Sequence, residues 1–584
     1  MKPKAPYRIV FGLSFIWAGL LGIVFVLPPI IGFIVPIELS HAIGHSTPFF
    51  PILNNIILFS LLLHKVQEQP LTSSSIKYTI IAPSAIYFLS LIVLSLFGLG
   101  DLEPVEMFGI VAVIATSLTF IGVSYVIGFG NRKTRDTHLR GARLVSSSAN
   151  KNQVSPGAIT FGGQQIAEQH LTKGVLISGS VGSGKSVAIN EALRAVRWRG
   201  NRAMIIDPSS GFYEKFYSAE AGDILFNLMD DRSPPWSPFA EIKEVYDFDR
   251  MAKALIPDAM SGEDKFFPAK ARQLVTDVMT VMHERGDNSP RSLYKWLMAS
   301  AESLGDFLEG TPSAADCAPA NAKMFGSVRA TMSVKIRWLS YLPESENYFS
   351  IRQWIRNESS KGWLYITYQN DQMDLLSNFV STITDIALLE ALSLPINFDR
   401  RLFFVLDEVD ALGPIGQLKN ALVRVRKHGG VCIVGVQTIA QLRDIYGRDT
   451  SIAILGNTVN KLIMRPSDPE TAKENESMIG EHEIERETTS TATAQGSSAA
   501  GTRGSSHAST TTTTNRQVVR QTVIMASELL GIPDLDEAFR GVLLRPGEPH
   551  TIVDVPLVKM PSVAKPFVPR KAQKLMVKDQ AAAS

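Results

Sequence analysis

Hydrophobic and polar positions divide the chain sharply near residue 130. Before that point long apolar runs dominate, and 9–36, 76–99 and 105–129 each contain a stretch able to cross a hydrocarbon layer of about 30 Å. A fourth run, 49–63, is shorter and is interrupted by Asn54 and Asn55. The first run is too long for a cleaved signal peptide and has no clear cleavage site. Lys2, Lys4 and Arg8 precede the first run, while Arg132, Lys133, Arg135, Arg140 and Arg143 follow the last. The loop at 38–50 has no Lys or Arg, the loop at 101–106 is acidic, and the loop between them carries Lys65 and Lys77. Because positively charged flanks stay on the cytoplasmic side, the pattern predicts an α-helical transmembrane domain over 1–130 with four crossings and both ends inside. Two crossings are the alternative if the middle segments pack differently.

Beyond a basic, polar linker at 131–163, short apolar runs alternate with amphipathic stretches. Positions 174–178 read as a strand entering a Gly-rich turn, 186–199 as a helix, and 203–206 as a second strand that ends at Asp207-Pro208. Between 234 and 350 the pattern is helical, most clearly at 272–283 and 322–339. Strand patterns then return at 363–368, 402–406, 431–436 and 461–464. Strands alternating with helices predict an α/β fold whose parallel sheet is covered on both faces. The expected organisation is one α/β domain over 164–233 and 351–570, interrupted by an all-α insertion at 234–350. Residues 486–515 form a Thr/Ser/Gly/Ala tract that includes Thr510–Thr514; it has too little apolar surface to offset its ordering entropy and is expected to be a disordered loop. A strand pattern at 552–555 precedes a short basic tail at 571–584.

Charge narrows the reading only slightly. Among 584 residues, 58 Lys+Arg against 56 Asp+Glu leave a formal net charge of +2, so any nucleic-acid surface must come from local placement or from clustering in an oligomer. Cys317 and Cys432 have neither a CxxC nor a His-paired spacing, so they suggest neither a disulfide framework nor a zinc site, and a reducing, cytoplasmic bulk fits best.

The strongest chemical signal is GSVGSGKS, Gly179 to Ser186, which satisfies G-x-x-x-x-G-K-[ST] and sits between a strand and a helix as a phosphate loop must. Gly179, Ser180, Val181, Gly182, Ser183, Gly184, Lys185, Ser186 and Val187 would wrap the polyphosphate of ATP, with Lys185 on the β- and γ-phosphates and the Ser186 hydroxyl on Mg²⁺. A second signal is the apolar run Phe403–Leu406 ending at Asp407-Glu408. There Asp407 would hold Mg²⁺ and Glu408 would orient or deprotonate the attacking water, although acids at a strand end also cap helices. Gln437 ends the 431–436 strand and either contacts the γ-phosphate or the lytic water or is a surface turn residue. Arg426, with Arg424 and Lys427, ends a helix stopped by Gly429-Gly430; it either complements the helix dipole or enters a neighbouring subunit's site as an arginine finger.

With these pieces in order, the chain from about 177 to 570 resembles the TraD branch of type IV secretion coupling proteins, within the wider FtsK/HerA-like translocase group. The resemblance rests on GSVGSGKS, MIIDPSSGF at 204–212, PPWSPF at 234–239, KGWLYITY at 361–368, FVLDEVDALG at 404–413, VRKHGG at 425–430, VGVQTIAQLRDIYG at 434–447 and MRPSDPETAKENESMIGE at 464–481. The phosphate loop is widespread, whereas the W-S-P-F region, the GWL strand and Q-x-x-x-Q-L-x-D-x-Y-G are much more specific. The resemblance implies a RecA-like P-loop NTPase with an all-α insertion, bacterial inner-membrane anchoring and a homohexameric ring around single- or double-stranded DNA. It further implies ATP and Mg²⁺ as cofactors, with relaxase or relaxosome proteins and secretion-channel components as partners. Arg426 is then the expected finger and Gln437 the γ-phosphate sensor. An FtsK-like chromosome translocase is the rival ATPase reading, but its long linker and winged-helix reader are not apparent. A membrane receptor or adaptor for DNA with secondary ATPase activity is the rival of another class, and the intact set Lys185, Asp407, Glu408 and Arg426 argues against it.

Two departures from the family pattern carry expectations of their own. Two extra apolar segments lie between the outer spans, where the family typically has a periplasmic portion. The tail at 571–584 is basic, so partner recognition through the acidic extension of some relatives is not expected. Reporter fusions should be periplasmic after His45 and Leu102 and cytoplasmic after Gln69. A periplasmic signal at Gln69 would leave two crossings.

Overall fold

The computed structural model describes residues 137–147, 154–257, 265–409, 412–496 and 507–570; the apolar segments and the basic tail lie outside the described residues. The chain divides into two units, and the sheet with its helices belongs to Thr137–Glu485 together with Gln517–Ser584. In chain order the strands are β1 (Thr137–Gly141), β2 (Leu144–Ser146), β3 (Thr160–Phe161), β4 (Gln164–Gln165), β5 (Val175–Ser178), β6 (Arg202–Pro208), β7 (Ile224–Phe226), β8 (Leu364–Tyr368), β9 (Leu402–Leu406), β10 (Gly430–Val436), β11 (Asn460–Met464), β12 (Glu481–Gly496), β13 (His507–Thr522), β14 (Ala538–Leu544) and β15 (His550–Pro556). Ten of them form one sheet in the order β2–β15–β14–β11–β5–β10–β9–β6–β8–β7.

From β11 to β7 every neighbouring pair is parallel. Beyond β11 the sheet turns antiparallel through β14 and β15. The parallel strands β5, β8, β9 and β10 are buried at every position, as continuous apolar runs covered on both faces require. Alternation then sorts them between two cores. Leu176, Met204, Phe404, Cys432 and Val434 point into one, and Val175, Ile177, Ile205, Phe403 and Ile433 into the other. Helix Lys185–Trp198 buries Ala188, Ile189, Ala192 and Leu193 in the second core. Helix Met373–Leu392 lies in the first. With its preceding turn it is the one helix among the described residues long and apolar enough to cross a membrane, yet 72% of that window is buried inside the protein, as a core helix is.

Between β7 and β8 every described regular element is helical, beginning at Pro238–Glu241 and ending at Ile351–Arg356. These helices do not enclose a separate core. Trp236, Met251, Met279, Val328 and Trp338 share one apolar cluster with the strand residues Leu176, Met204 and Phe404. The two ends of the insertion are joined by the buried Glu241, whose carboxylate accepts from Trp236 Nε1 at 2.7 Å, Ile351 N at 2.8 Å, Arg352 N at 3.0 Å and Ser350 Oγ at 3.0 Å. Arg352 then bridges Asp247 at 2.6 Å and Glu390 at 2.7 Å, so the buried charges are paired.

Two expectations need correction. The linker at 131–163 is not wholly irregular: β1 pairs with β12, and β2 forms an edge of the large sheet beside β15. Both strands are short and exposed or half-buried, so no hydrophobic alternation announces them. The Thr/Ser tract, expected as a disordered loop, instead supplies the outer arms of β12 and β13 on either side of residues 497–506, which lie outside the described residues. Composition misleads there because β-branched Thr suits an extended backbone, and strand pairing satisfies backbone groups without an apolar core.

Phe379 is the clearest link between sheet and insertion, stacking on Phe226 with centroids 5.6 Å apart and meeting Trp338 edge-on at 5.1 Å. Phe379→Ala should lower unfolding stability by about 3–5 kcal/mol in a urea titration. A loss below about 1 kcal/mol would show that the insertion and the sheet do not share this core.

Candidate nucleotide site

The phosphate loop leaves β5 beside the end of β10, where Gly179 N–H donates to Val436 O at 3.2 Å. Ser180 N–H donates to Arg465 O at 2.8 Å and its hydroxyl to the same carbonyl at 3.0 Å, fastening the loop to the residue after β11. Gly182 and Gly184 have φ of +76° and +98°, a left-handed backbone that L side chains rarely adopt. A Cβ at Gly184 would also collide with the ring of Phe539 on β14. Lys185, buried at the start of its helix, donates from Nζ to Gly179 O at 2.7 Å and Ser180 O at 3.1 Å. Its ammonium thus sits over the loop's own carbonyls, where anionic phosphate oxygens would be stronger acceptors. Ser186 is exposed beside it.

β9 delivers Asp407, buried, and Glu408, whose N–H donates to Asp407 Oδ1 at 3.1 Å. Glu408 has φ +53°, an uncommon conformation for a residue with a side chain and one that concentrates at functional sites. Gln437, following β10, donates from Nε2 to Glu408 Oε1 at 2.7 Å. The neighbouring Gly435 is there for clearance: a Cβ on it would lie 2.6 Å from Asp407 Oδ1.

β6 brings a further acid that the sequence reading assigned no role. Asp207 is fully buried and accepts from Phe212 N at 3.0 Å and Tyr213 N at 2.6 Å. Burial pushes its carboxyl up to about 7 against the pull of those two donors, and the negative charge of Asp407 acts in the same direction as burial. The signal was present, because MIID ends an apolar strand in an acid just as FVLDE does. Phe539, Gly435 and the Arg465 carbonyl had no comparable signal; their roles depend on which strands become neighbours.

Lys185, Asp407, Glu408 and Gln437 therefore gather at the C-terminal ends of the adjacent strands β5, β9 and β10. Arg426 does not join them. It lies in the turn Val425–His428 before β10, at the opposite end of the sheet, about 20 Å from the β10 C-terminus for a strand of seven residues. Its side chain is exposed, and its guanidinium has no hydrogen bond or ion pair among the described residues.

The site suits Mg²⁺ held largely by a nucleotide. Burial, with the charge of Asp407 adding to it, raises the cost of ionising Asp207, and a divalent cation would relieve it. Among the described residues no group of three or more His, Cys, Asp or Glu could hold a metal alone. An ion with one or two protein ligands and several phosphate or water oxygens meets both conditions, with Ser186 and Asp407 as the candidates.

The chain resembles known proteins over most of its length. Residues 158–556 match the family described as the type IV secretion-system coupling protein DNA-binding domain. The coupling protein TraD of Escherichia coli (strain K12) is 26% identical over 476 residues, which cover 79% of this chain. The match spans 64% of that curated relative's length. Among solved structures, the bacterial conjugative coupling protein TrwBdeltaN70 superposes with a TM-score of 0.66 at 27% identity, covering 75% of this chain and 98% of that one. The plasmid coupling protein TrwB in complex with ADP and Mg²⁺ superposes with a TM-score of 0.65 at 27% identity, covering 74% and 97%. The same protein with the ATP analogue ADPNP gives 0.65 at 27% identity, covering 74% and 98%.

Gly435→Ala should push the Asp407 carboxylate from its seat and weaken Mg²⁺-dependent nucleotide binding about 10- to 100-fold. Nucleotide titrations at varied Mg²⁺ measure this directly. Unchanged Mg²⁺ dependence would mean that Asp407 does not need the clearance Gly435 provides.

Proposed function

Because this chain belongs to the type IV secretion-system coupling protein family, we propose that it is an ATP-driven DNA-translocating motor of the bacterial inner membrane. It couples a relaxase–DNA complex to a conjugation channel, as a RecA-like ring of six copies threaded by DNA. The observation that carries this reading is the meeting of Lys185, Asp407, Glu408 and Gln437 at one end of three adjacent parallel strands, beside a glycine-shaped loop. Family membership supports the DNA substrate, and the TrwB complexes with ADP, Mg²⁺ and ADPNP support nucleotide and magnesium as its cofactors. The four apolar segments supply the membrane anchor of the proposal.

Each residue has a defined task in this mechanism. Lys185 exchanges the carbonyls of Gly179 and Ser180 for the β- and γ-phosphates. Ser186 and Asp407 would hold Mg²⁺, which would supply positive charge beside the phosphates. Glu408 positions the attacking water and takes its proton. Gln437, bonded to Glu408 at 2.7 Å, senses the γ-phosphate and holds the carboxylate at the same time. Arg426 cannot serve its own chain's nucleotide from the far end of β10, so it acts as a finger in the site of the next copy.

Substitutions separate these tasks. Lys185→Ala should abolish nucleotide use. Glu408→Gln should bind ATP yet hydrolyse it poorly. Arg426→Ala should bind ATP and lose about 10³-fold in DNA-stimulated turnover. Mixing Arg426→Ala with Glu408→Gln subunits should restore part of the activity at junctions where intact partners meet. Absence of DNA-stimulated hydrolysis in the unaltered chain would overturn the motor reading.

A further inference from the structure

The turn that carries Arg426 is fastened to a second exposed segment, the loop between helix Met373–Leu392 and β9. Asn397 N–H donates to Lys427 O at 3.0 Å, and Arg400 Nη1 donates to His428 O at 2.9 Å and Pro395 O at 3.0 Å. His428 Nδ1 lies 2.6 Å from Leu394 O, and Leu402 N–H donates to Gly429 O at 3.0 Å. Within the loop, Asn397 Oδ1 accepts from Asp399 N at 2.9 Å and Arg400 N at 3.1 Å. Arg400 also pairs with Glu358 before β8. The loop and the turn thus form one braced unit.

This unit holds two large apolar side chains in water. Ile396 is 64% exposed and Phe398 67% exposed, on either side of the residue bonded to Lys427. A braced loop cannot fold such side chains inward, and their exposure costs free energy unless another surface covers them. An aromatic and an aliphatic anchor beside an exposed Arg is also the composition of an interface hot spot.

We propose that Ile396 and Phe398 are the apolar anchor of the contact between copies of this chain, and that they set Arg426 in the neighbour's nucleotide site. The inference rests on the trans role of Arg426 given above and adds the surface that makes it possible. The occupant is a second copy because the complementary chemistry lies on this chain's own opposite edge. There the half-buried Glu408 supplies negative charge at the edge, and Val181, 77% exposed at the tip of the phosphate loop, supplies apolar surface. The two surfaces lie at opposite ends of one sheet, so the contact is head-to-tail and can close only as a ring. Desolvation by the apolar pair would strengthen the attraction between Arg426 and the phosphates.

The test uses the full-length chain in detergent with Mg²⁺, ATP and DNA. The double variant Ile396→Ser, Phe398→Ser should bind a fluorescent ATP analogue at each subunit as the unaltered chain does and keep its thermal midpoint. It should lose higher-order mass in native mass spectrometry, and its turnover should fall about 10³-fold, as far as that of Arg426→Ala. Phe398→Leu should restore both, whereas Arg426→Ala should lose turnover but still assemble. A double variant that assembles and hydrolyses normally overturns the proposal, including one that fails only in DNA transfer, because the loop would then serve a different partner. If the unaltered chain hydrolyses nothing, the motor reading fails, and the mass measurement alone still decides the anchor.

Discussion

The shared direction of seven neighbouring strands, buried on both faces, governs the rest of this structure. A parallel sheet covered on two sides must be apolar along its whole length, so the first polar residues after each strand emerge together at one edge. The phosphate loop after β5, Asp207 at the end of β6, Asp407-Glu408 after β9 and Gln437 after β10 are far apart in the chain yet become neighbours for that reason alone. Charges brought together in this way are costly. The charge of Asp407 acts on the buried Asp207, Lys185 lies over carbonyls, and Glu408 occupies an uncommon backbone conformation. Such an edge is arranged for a ligand that supplies phosphate oxygens and a cation together.

The helical insertion extends this constraint. It continues the core on one face of the sheet, with Phe379 stacking on Phe226 and packing against Trp338. Its entry and exit are tied by Glu241, buried with four hydrogen bonds to its carboxylate. Close-packed interiors do not deform continuously, so a displacement of strand ends at the nucleotide edge is passed to the helices as a shift of whole packed elements. The proposed motor would need mechanical continuity of this kind between its nucleotide edge and the part that moves its substrate.

The opposite end of the sheet completes the design. Arg426 and the apolar pair Ile396 and Phe398 are held on one braced surface, far from the acids that one copy contributes. In the proposed ring, the reaction centre would be completed only where the two edges of neighbouring copies meet.

By itself the sequence determined a great deal here. Gly179 to Ser186 between a strand and a helix, and the apolar run ending at Asp407-Glu408, pointed to a nucleotide site. The alternation of strand and helix patterns identified a parallel α/β sheet interrupted by helices. These signals are local, since period and spacing within about ten residues express them. Only tertiary structure decided that Gln437 holds Glu408, that Gly435 makes room for Asp407, that Phe539 closes on Gly184 and that Asp207 joins the acidic edge. It also turned the Thr-rich tract from expected disorder into the arms of β12 and β13. It placed Arg426 at the far end of β10, a choice that helix-dipole arguments could not make. In every such case the decisive quantity was strand order and backbone direction, which long-range pairing sets and no local pattern encodes.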